Sequence, residues 1–257
     1  MLWAFMALVL GSMLLTWYQD LSKARERRTA IVQRYALYRT RLGADRQARF
    51  DHIALRFVER MRWIGEDMVV VEEMKAMIGS CAAQLLLELP DARLPHFTTI
   101  ILHRRHFRSA RTRKVHVGET RPMAGEIVIS WSDMLFGYSL SHDAENVGLH
   151  ELAHALWFEN TALGERCANW TDERITRWNA LAAPEIERIR QGKSVLLSSY
   201  AGTNAAEFFA VAVEFFFERG EAFKALLPEL HACLCELLSQ DPTTLPPVAK
   251  AEAPSAR

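Results

Sequence analysis

Two histidines and a glutamate fall within five residues of this chain: His150, Glu151 and His154, in the frame VGLHELAHAL. Histidines four apart on a helix lie on one face, one turn apart, so both imidazoles can close on one metal ion. A glutamate beside the first of them can reach a water on that ion. Zinc hydrolases use this set: nitrogen ligands, an open coordination position, and a carboxylate that takes the water's proton. The flanking Val147, Gly148, Leu149, Leu152, Ala153, Ala155 and Leu156 are uncharged, which predicts a buried helix. Burying three polar side chains costs free energy unless something pairs them, and a divalent cation pairs all three. The plainer alternative, two solvated histidines on a surface helix, does not suit flanks this apolar.

A catalytic zinc usually takes three protein ligands and a water. A histidine six residues past His154 would extend the motif as in the metzincins, but Asn160 stands there. The acidic candidates downstream are Glu159, Glu165, Asp172, Glu173, Glu207 and Glu214. Glu159 and Glu165 fall in an expected loop, and Asp172 and Glu173 in charged surroundings. Glu207 sits among Ala205, Ala206, Phe208, Phe209 and Ala210, where an ionised carboxylate is costly unless it meets a cation. Its other reading is a capping box, Asn204-x-x-Glu207. Glu214, seven residues on, shares nearly the same face and reads either as a carboxylate that orients a ligand histidine or as an exposed charge.

The elements that must position these residues are mostly helical. The metal-binding helix is expected from about Asp143 to Phe158, capped near Ser141 or Asp143. Amphipathic or apolar helices are expected at Asp45–Trp63 and Glu72–Leu89, with further helices at Thr171–Gly192 (interrupted at Pro184), Ala205–Glu218 and from Pro228. β-rich runs lie at Thr98–Leu102 and Glu126–Ser130, with a third strand expected at Lys114–Val117, and a strand edge near Glu126–Ser130 could hold an extended peptide. The sequence therefore predicts an α+β, mostly helical domain with a small β-sheet over residues 45–240, followed by a disordered tail at 241–257.

The N-terminal residues read differently. Leu2–Tyr18 carries no charge and is just long enough to span a bilayer, and Lys23, Arg25, Arg27 and Arg28 follow it. The expectation is a transmembrane anchor at 1–19 and a basic juxtamembrane helix at 20–44. That would place the chain as a single-pass protein of the inner (cytoplasmic) membrane with its catalytic domain facing the cytoplasm. Lys and Arg together number 31, as do Asp and Glu, so nothing in the balance calls for nucleic acid. The basic run from His103 to Lys114 reads as a solvated loop, or as a site for an acidic partner or the inner membrane face. Cysteines at 81, 167, 233 and 235 lack the spacing of a disulfide framework or a zinc ribbon, and His231, Cys233 and Cys235 read as ordinary packing.

HELAH, a long gap, then Tyr200 seven residues before Glu207 in YAGTNAAEFFAVAVEFFF resembles the Mlc titration factor A family of zinc peptidases. The tyrosine–glutamate spacing is also similar to that of the catalytic domain of anthrax lethal factor. GEIVISWSDM ahead of the zinc helix looks like the same family, and the resemblance spans roughly residues 45–240. It implies a gluzincin-like, zincin-type metallopeptidase domain, with His150, His154 and Glu207 as zinc ligands, Glu151 as catalytic base and Tyr200 assisting. It implies a peptide or protein substrate, with aminopeptidase action. It also implies a regulatory protein partner such as a transcriptional repressor, which a binding protein of this fold would sequester without catalysis. The family commonly has aspartate three residues after the second histidine; here Trp157 occupies that position, leaving Glu159 or Glu214 to support the ligands.

Overall fold

The computed structural model describes residues 2–90, 93–139, 144–163, 166–194 and 196–246, leaving aside the side chains of 2–5, 7–9, 11, 12, 14, 138 and 139. Helix α1 (Leu2–Tyr35) leads through a 3-10 turn at Leu37–Arg41 to α2 (Ala44–Arg60), strand β1 (Arg62–Glu66) and α3 (Glu72–Leu86). Strands β2 (Thr99–His103), β3 (Phe107–Arg108), β4 (Val115–His116), β5 (Gly118–Arg121) and β6 (Glu126–Ser130) follow. The remainder is helical: α4 (Trp131–Ser139), α5 (Val147–Thr161), α6 (Asp172–Arg190), α7 (Ala205–Glu218), α8 (Gly220–Leu226) and α9 (Pro228–Leu238).

The main sheet has the order β1-β2-β6-β5, with β1, β2 and β6 parallel and β5 antiparallel at one edge. Ile100, Leu102, Ile127 and Ile129 enter the large core shared with the helices, as alternation along a strand requires. The intervening Ile101 and Val128 point to the opposite face, where Phe107 of the β3–β4 hairpin packs with them and Ile64 of β1 lies alongside. β6 is therefore an inner strand, and the sheet's edge strands are β1 and β5 rather than Glu126–Ser130. Three strands lay outside the sequence expectation, among them β3, in the run His103–Lys114 that reads as a solvated loop. α2 stops at Arg60, so Trp63 belongs to β1, and the polar GETR of β5 shows no strand signature. Pro184 does not break α6, which runs through it.

The N-terminal expectation is overturned. Among the described residues no helix is long and apolar enough to cross a membrane, so neither the transmembrane helix nor the single-pass membrane placement is retained. The uncharged run is 17 residues, short of the about 20 a span normally takes. It is also no separate element, because α1 continues through Asp20, Lys23, Arg25, Arg27 and Arg28 to Tyr35, 34 residues in all. The later part of that helix joins the domain. Ile31 and Val32 are buried in the core, Arg28 pairs with Glu72 of α3, and Arg27 approaches Glu73 at 3.5 Å. At the other end, residues 247–257 of the expected tail lie outside the described residues. Arg41 holds the carbonyls of Pro242 (2.6 Å) and Leu245 (3.3 Å), which fixes the start of that segment.

Candidate metal centre and active site

α5 begins at Asn146, whose side chain accepts from the Leu149 amide at 3.0 Å. The expected cap residues Ser141 and Asp143 lie outside the described residues. α7 begins at Asn204, whose side chain accepts from the amides of Ala206 (2.9 Å) and Glu207 (3.0 Å). Asn204 therefore caps the helix, while the Glu207 carboxylate turns to the histidines of α5. His150 Nε2 lies 3.2 Å and His154 Nε2 3.0 Å from Glu207 Oε2, and the two nitrogens are 3.1 Å apart.

Three ligand atoms at such separations can hold a metal ion. Donors about 2.0–2.1 Å from a tetrahedral zinc stand about 3.3 Å from one another, so the triangle is close to that size. Two imidazole lone pairs and one carboxylate oxygen are a donor set that suits a small divalent ion. Burial opposes the charge on Glu207, but hydrogen bonds and positive charge from His150 and His154 outweigh it and hold the carboxyl well below its ordinary range.

α7 also supplies the outer support. Glu214 accepts from His150 Nδ1 (2.8 Å) and from the Asn146 amide (2.8 Å). Burial works against a proton on His150, yet the Glu214 charge and the bonds to Glu207 and Glu214 raise its pKa well above the usual histidine value. A metal ion would displace the proton from Nε2, and the Nδ1 proton held on Glu214 would then fix the tautomer whose Nε2 lone pair faces the cradle. Glu218 accepts from Asn146 Nδ2 (3.0 Å) and the Ala144 amide (3.0 Å). His154 has no matching support: its Nδ1 is buried without a hydrogen-bond partner among the described residues. Trp157 packs instead against Phe209 (5.1 Å between centroids) and Trp170 (6.1 Å), as part of the aromatic core.

Glu151 is buried on the sheet side of α5. The Thr120 hydroxyl of β5 donates toward its Oε2 at 2.8 Å and lies 2.9 Å from its carbonyl oxygen. A Cβ on Gly118 would stand 2.3 Å from Glu151 Oε1, so glycine there leaves room for the carboxylate. Tyr200, on the 3-10 turn Ser199–Gly202, is half exposed with its ring centroid 5.9 Å from that of His150. Burial first, then the charges of Glu207 and Glu151, raise its pKa, keeping the phenol a donor.

The other acidic candidates do not join the cradle. Glu159 is buried and accepts from the His96 amide at 2.8 Å, Asp172 pairs with Arg166 at the surface, and Glu173 lies exposed on the first turn of α6. Glu165 lies outside the described residues. His231, Cys235 and Asp241 also cluster, but Cys235 approaches Nδ1 (3.7 Å) and Asp241 approaches Nε2 (3.6 Å), on opposite sides of one ring. Sequence reading missed Asn146, Gly118, Thr120 and Glu218. Two carried a signal: Glu218, four residues past Glu214 on the same helix face, and Asn146, a favoured capping residue directly before the apolar run.

A helix that presents two histidines and a glutamate beneath a small mixed sheet, facing a carboxylate from a second helix, is the framework of a metallopeptidase-like domain. The chain belongs to the glucose-regulated metallo-peptidase M90 family, whose model matches residues 16–238. Among its relatives, Mlc titration factor A of Salmonella agona (strain SL483) is 26% identical over 233 residues, covering 82% of this chain and 85% of the relative. Mlc titration factor A of Enterobacter sp. (strain 638) is 27% identical over 224 residues, covering 78% and 82%. The uncharacterized protein slr2042 of Synechocystis sp. (strain ATCC 27184 / PCC 6803 / Kazusa) is 25% identical over 202 residues, covering 72% and 74%.

Proposed function

We propose that the chain is a zinc-dependent peptidase with His150, His154 and Glu207 as metal ligands and Glu151 as general base. The observation that carries this reading is the convergence of two Nε2 atoms, from the helix that also carries Glu151, and one carboxylate oxygen from α7 within 3.0–3.2 Å. Two nitrogens and one oxygen suit zinc, and a zinc ion there would supply an acidified water and a Lewis acid toward the peptide carbonyl. Glu151, oriented by Thr120, takes the water's proton and returns it to the leaving amine. Tyr200 donates from the open side of the cradle to the carbonyl oxygen as its charge grows. The test is metal analysis with peptide hydrolysis, wild type beside Glu151→Gln. The variant should keep its zinc and lose about 10²–10⁴-fold in rate, and wild-type turnover would refute the base assignment.

The relatives named Mlc titration factor A favour a second reading, capture of a regulatory protein partner without cleavage. Full partner binding by a zinc-free His150→Ala variant would support it, and loss of binding with the metal would count against it.

A further inference from the structure

The β3–β4 hairpin does more than cover the sheet. Its turn is closed by the Ser109 amide on the Lys114 carbonyl at 2.9 Å. It is tied to the edge strand through Glu119, which accepts from Ser109 Oγ (2.9 Å) and Arg111 Nε (3.0 Å) and pairs with Arg121 (2.9 Å). Arg104, Arg105, Arg108, Arg111, Arg113 and Lys114 are all exposed, with no acidic residue between them in sequence. Among the described residues, Arg105, Arg108, Arg113 and Lys114 have no carboxylate partner in an ion pair, and Glu119 is already engaged. In a chain of zero formal net charge, this is a local excess of cations. Val117 just before β5 and Met123 just after it are exposed apolar residues at the two ends of the same edge (45% and 93%).

Registry relates this patch to the catalytic side. Ile64, Ile101, Val128 and Glu119 form one row across β1, β2, β6 and β5, on the hairpin face. Gly118 and Thr120, the alternate positions, face Glu151 on the other side. A peptide added along β5 as a further strand would alternate in the same way: every second side chain toward the cradle, and those between toward the hairpin cations.

We propose that the site selects extended, acidic segments of peptide or protein, with Asp or Glu at alternate positions read by Arg108, Arg113 and Lys114. This rests on the peptidase reading above for its location. The exposed apolar residues at the two ends of β5 would receive apolar positions of the same segment.

The test uses the full-length, zinc-loaded protein and three quenched-fluorescence peptides of equal length: uncharged, with glutamates two apart, and with the same number of glutamates adjacent. The alternating peptide should exceed the uncharged one in kcat/KM by about tenfold at low salt, the order expected of a few exposed charge pairs. The advantage should fade toward parity at 1 M salt, where the screening length is about 3 Å. The adjacent-glutamate peptide should gain less. The triple variant R108E/R113E/K114E should reverse the preference while its melting temperature stays close to wild type. Equal turnover of all three peptides overturns the proposal, and so does a preference indifferent to glutamate spacing, which would mark a general polyanion surface. Anisotropy of the labelled peptides on zinc-loaded Glu151→Gln reads the same preference without cleavage. If no peptide is hydrolysed by wild type, the peptidase reading fails separately, and the binding series still decides the charge preference.

Discussion

Replacing Glu214 by glutamine tests how the proposed metal cradle is held. Each Glu214 oxygen serves one donor, His150 Nδ1 at 2.8 Å and the Asn146 amide at 2.8 Å, and the side chain is only 7% exposed. Glutamine keeps one accepting oxygen and turns its NH₂ group toward the other donor, so a buried charge-assisted hydrogen bond is lost. Hydrogen bonds to charged groups contribute about 1.5–3 kcal/mol. Loss of a partner that orients a ligand histidine typically costs about 10–100-fold in metal affinity. At about 1.4 kcal/mol per tenfold, the two estimates coincide. Nothing compensates at the neighbouring ligand, because His154 Nδ1 has no hydrogen-bond partner among the described residues. The assay is a zinc titration against a chromophoric chelator, run beside thermal melting of the metal-free protein. The expected result is a Kd raised about 10–100-fold. A zinc Kd within twofold of wild type, even with a lowered melting temperature, would refute the reasoning and leave Glu214 a purely structural carboxylate.

Gly118→Ala places a methyl group against the Glu151 carboxylate, a flexible neighbour that can swing away. Melting temperature and zinc content should stay near wild type, while kcat falls by about 10²-fold, as a displacement of about 1 Å commonly costs. Burial pushes the Cys235 thiol up to about 12, so its thiolate fraction at pH 8 is about 10⁻⁴, against about a quarter for a free cysteine. Alkylation of Cys235 by iodoacetamide, followed by mass spectrometry, should therefore be about three orders of magnitude slower than that of a free thiol. Burial raises the Glu119 carboxyl, but bonds from Ser109, Arg121 and Arg111 outweigh it and leave the folded pKa lowered. Its stabilisation is thus fully present above the unfolded value of about 4.3 and is lost as pH falls through the lower folded value. Amide exchange in residues 107–121 should accelerate across that acidic window, and Glu119→Gln should remove the pH step.

The proposed metal cradle was more legible in the sequence than its surroundings, for a physical reason. His150 and His154 are linked by helix periodicity alone, and Glu207 stands out because no carboxylate is at ease between alanines and phenylalanines unless a cation meets it. The helix Ala205–Glu218 was read to its ends, because Asn204 caps it and its apolar composition is continuous. The parts that hold Glu151 could not be seen in this way. Gly118 and Thr120 matter through a contact between residues some thirty positions apart, on a strand whose GETR composition has no β-signature. β1 was hidden because Trp63 and Ile64 continue an apolar pattern that serves a helix equally well. The apolar N-terminal run misled for a related reason: local hydropathy does not show that the helix continues into charged turns packed on α3.

One periodicity does more work in this site than the motif that first drew attention to it. Glu207, Glu214 and Glu218 are seven and then four residues apart, and at about 100° per residue they return to one stripe of α7 about 40° wide. The first meets both histidines, the second meets His150 and the Asn146 amide, and the third meets the Asn146 side chain and the Ala144 amide. The last two lie at the N-terminal end of α5, where the helix dipole favours negative charge. Sliding α7 by one residue would break all these contacts together. What prevents the slide is the apolar remainder of the same helix, with Phe208, Phe209, Phe215, Phe216 and Phe217 all buried in the core. The phenylalanines that make the sequence of α7 so apolar are therefore what sets the spacing of its three carboxylates against α5, and with it the size of the cradle.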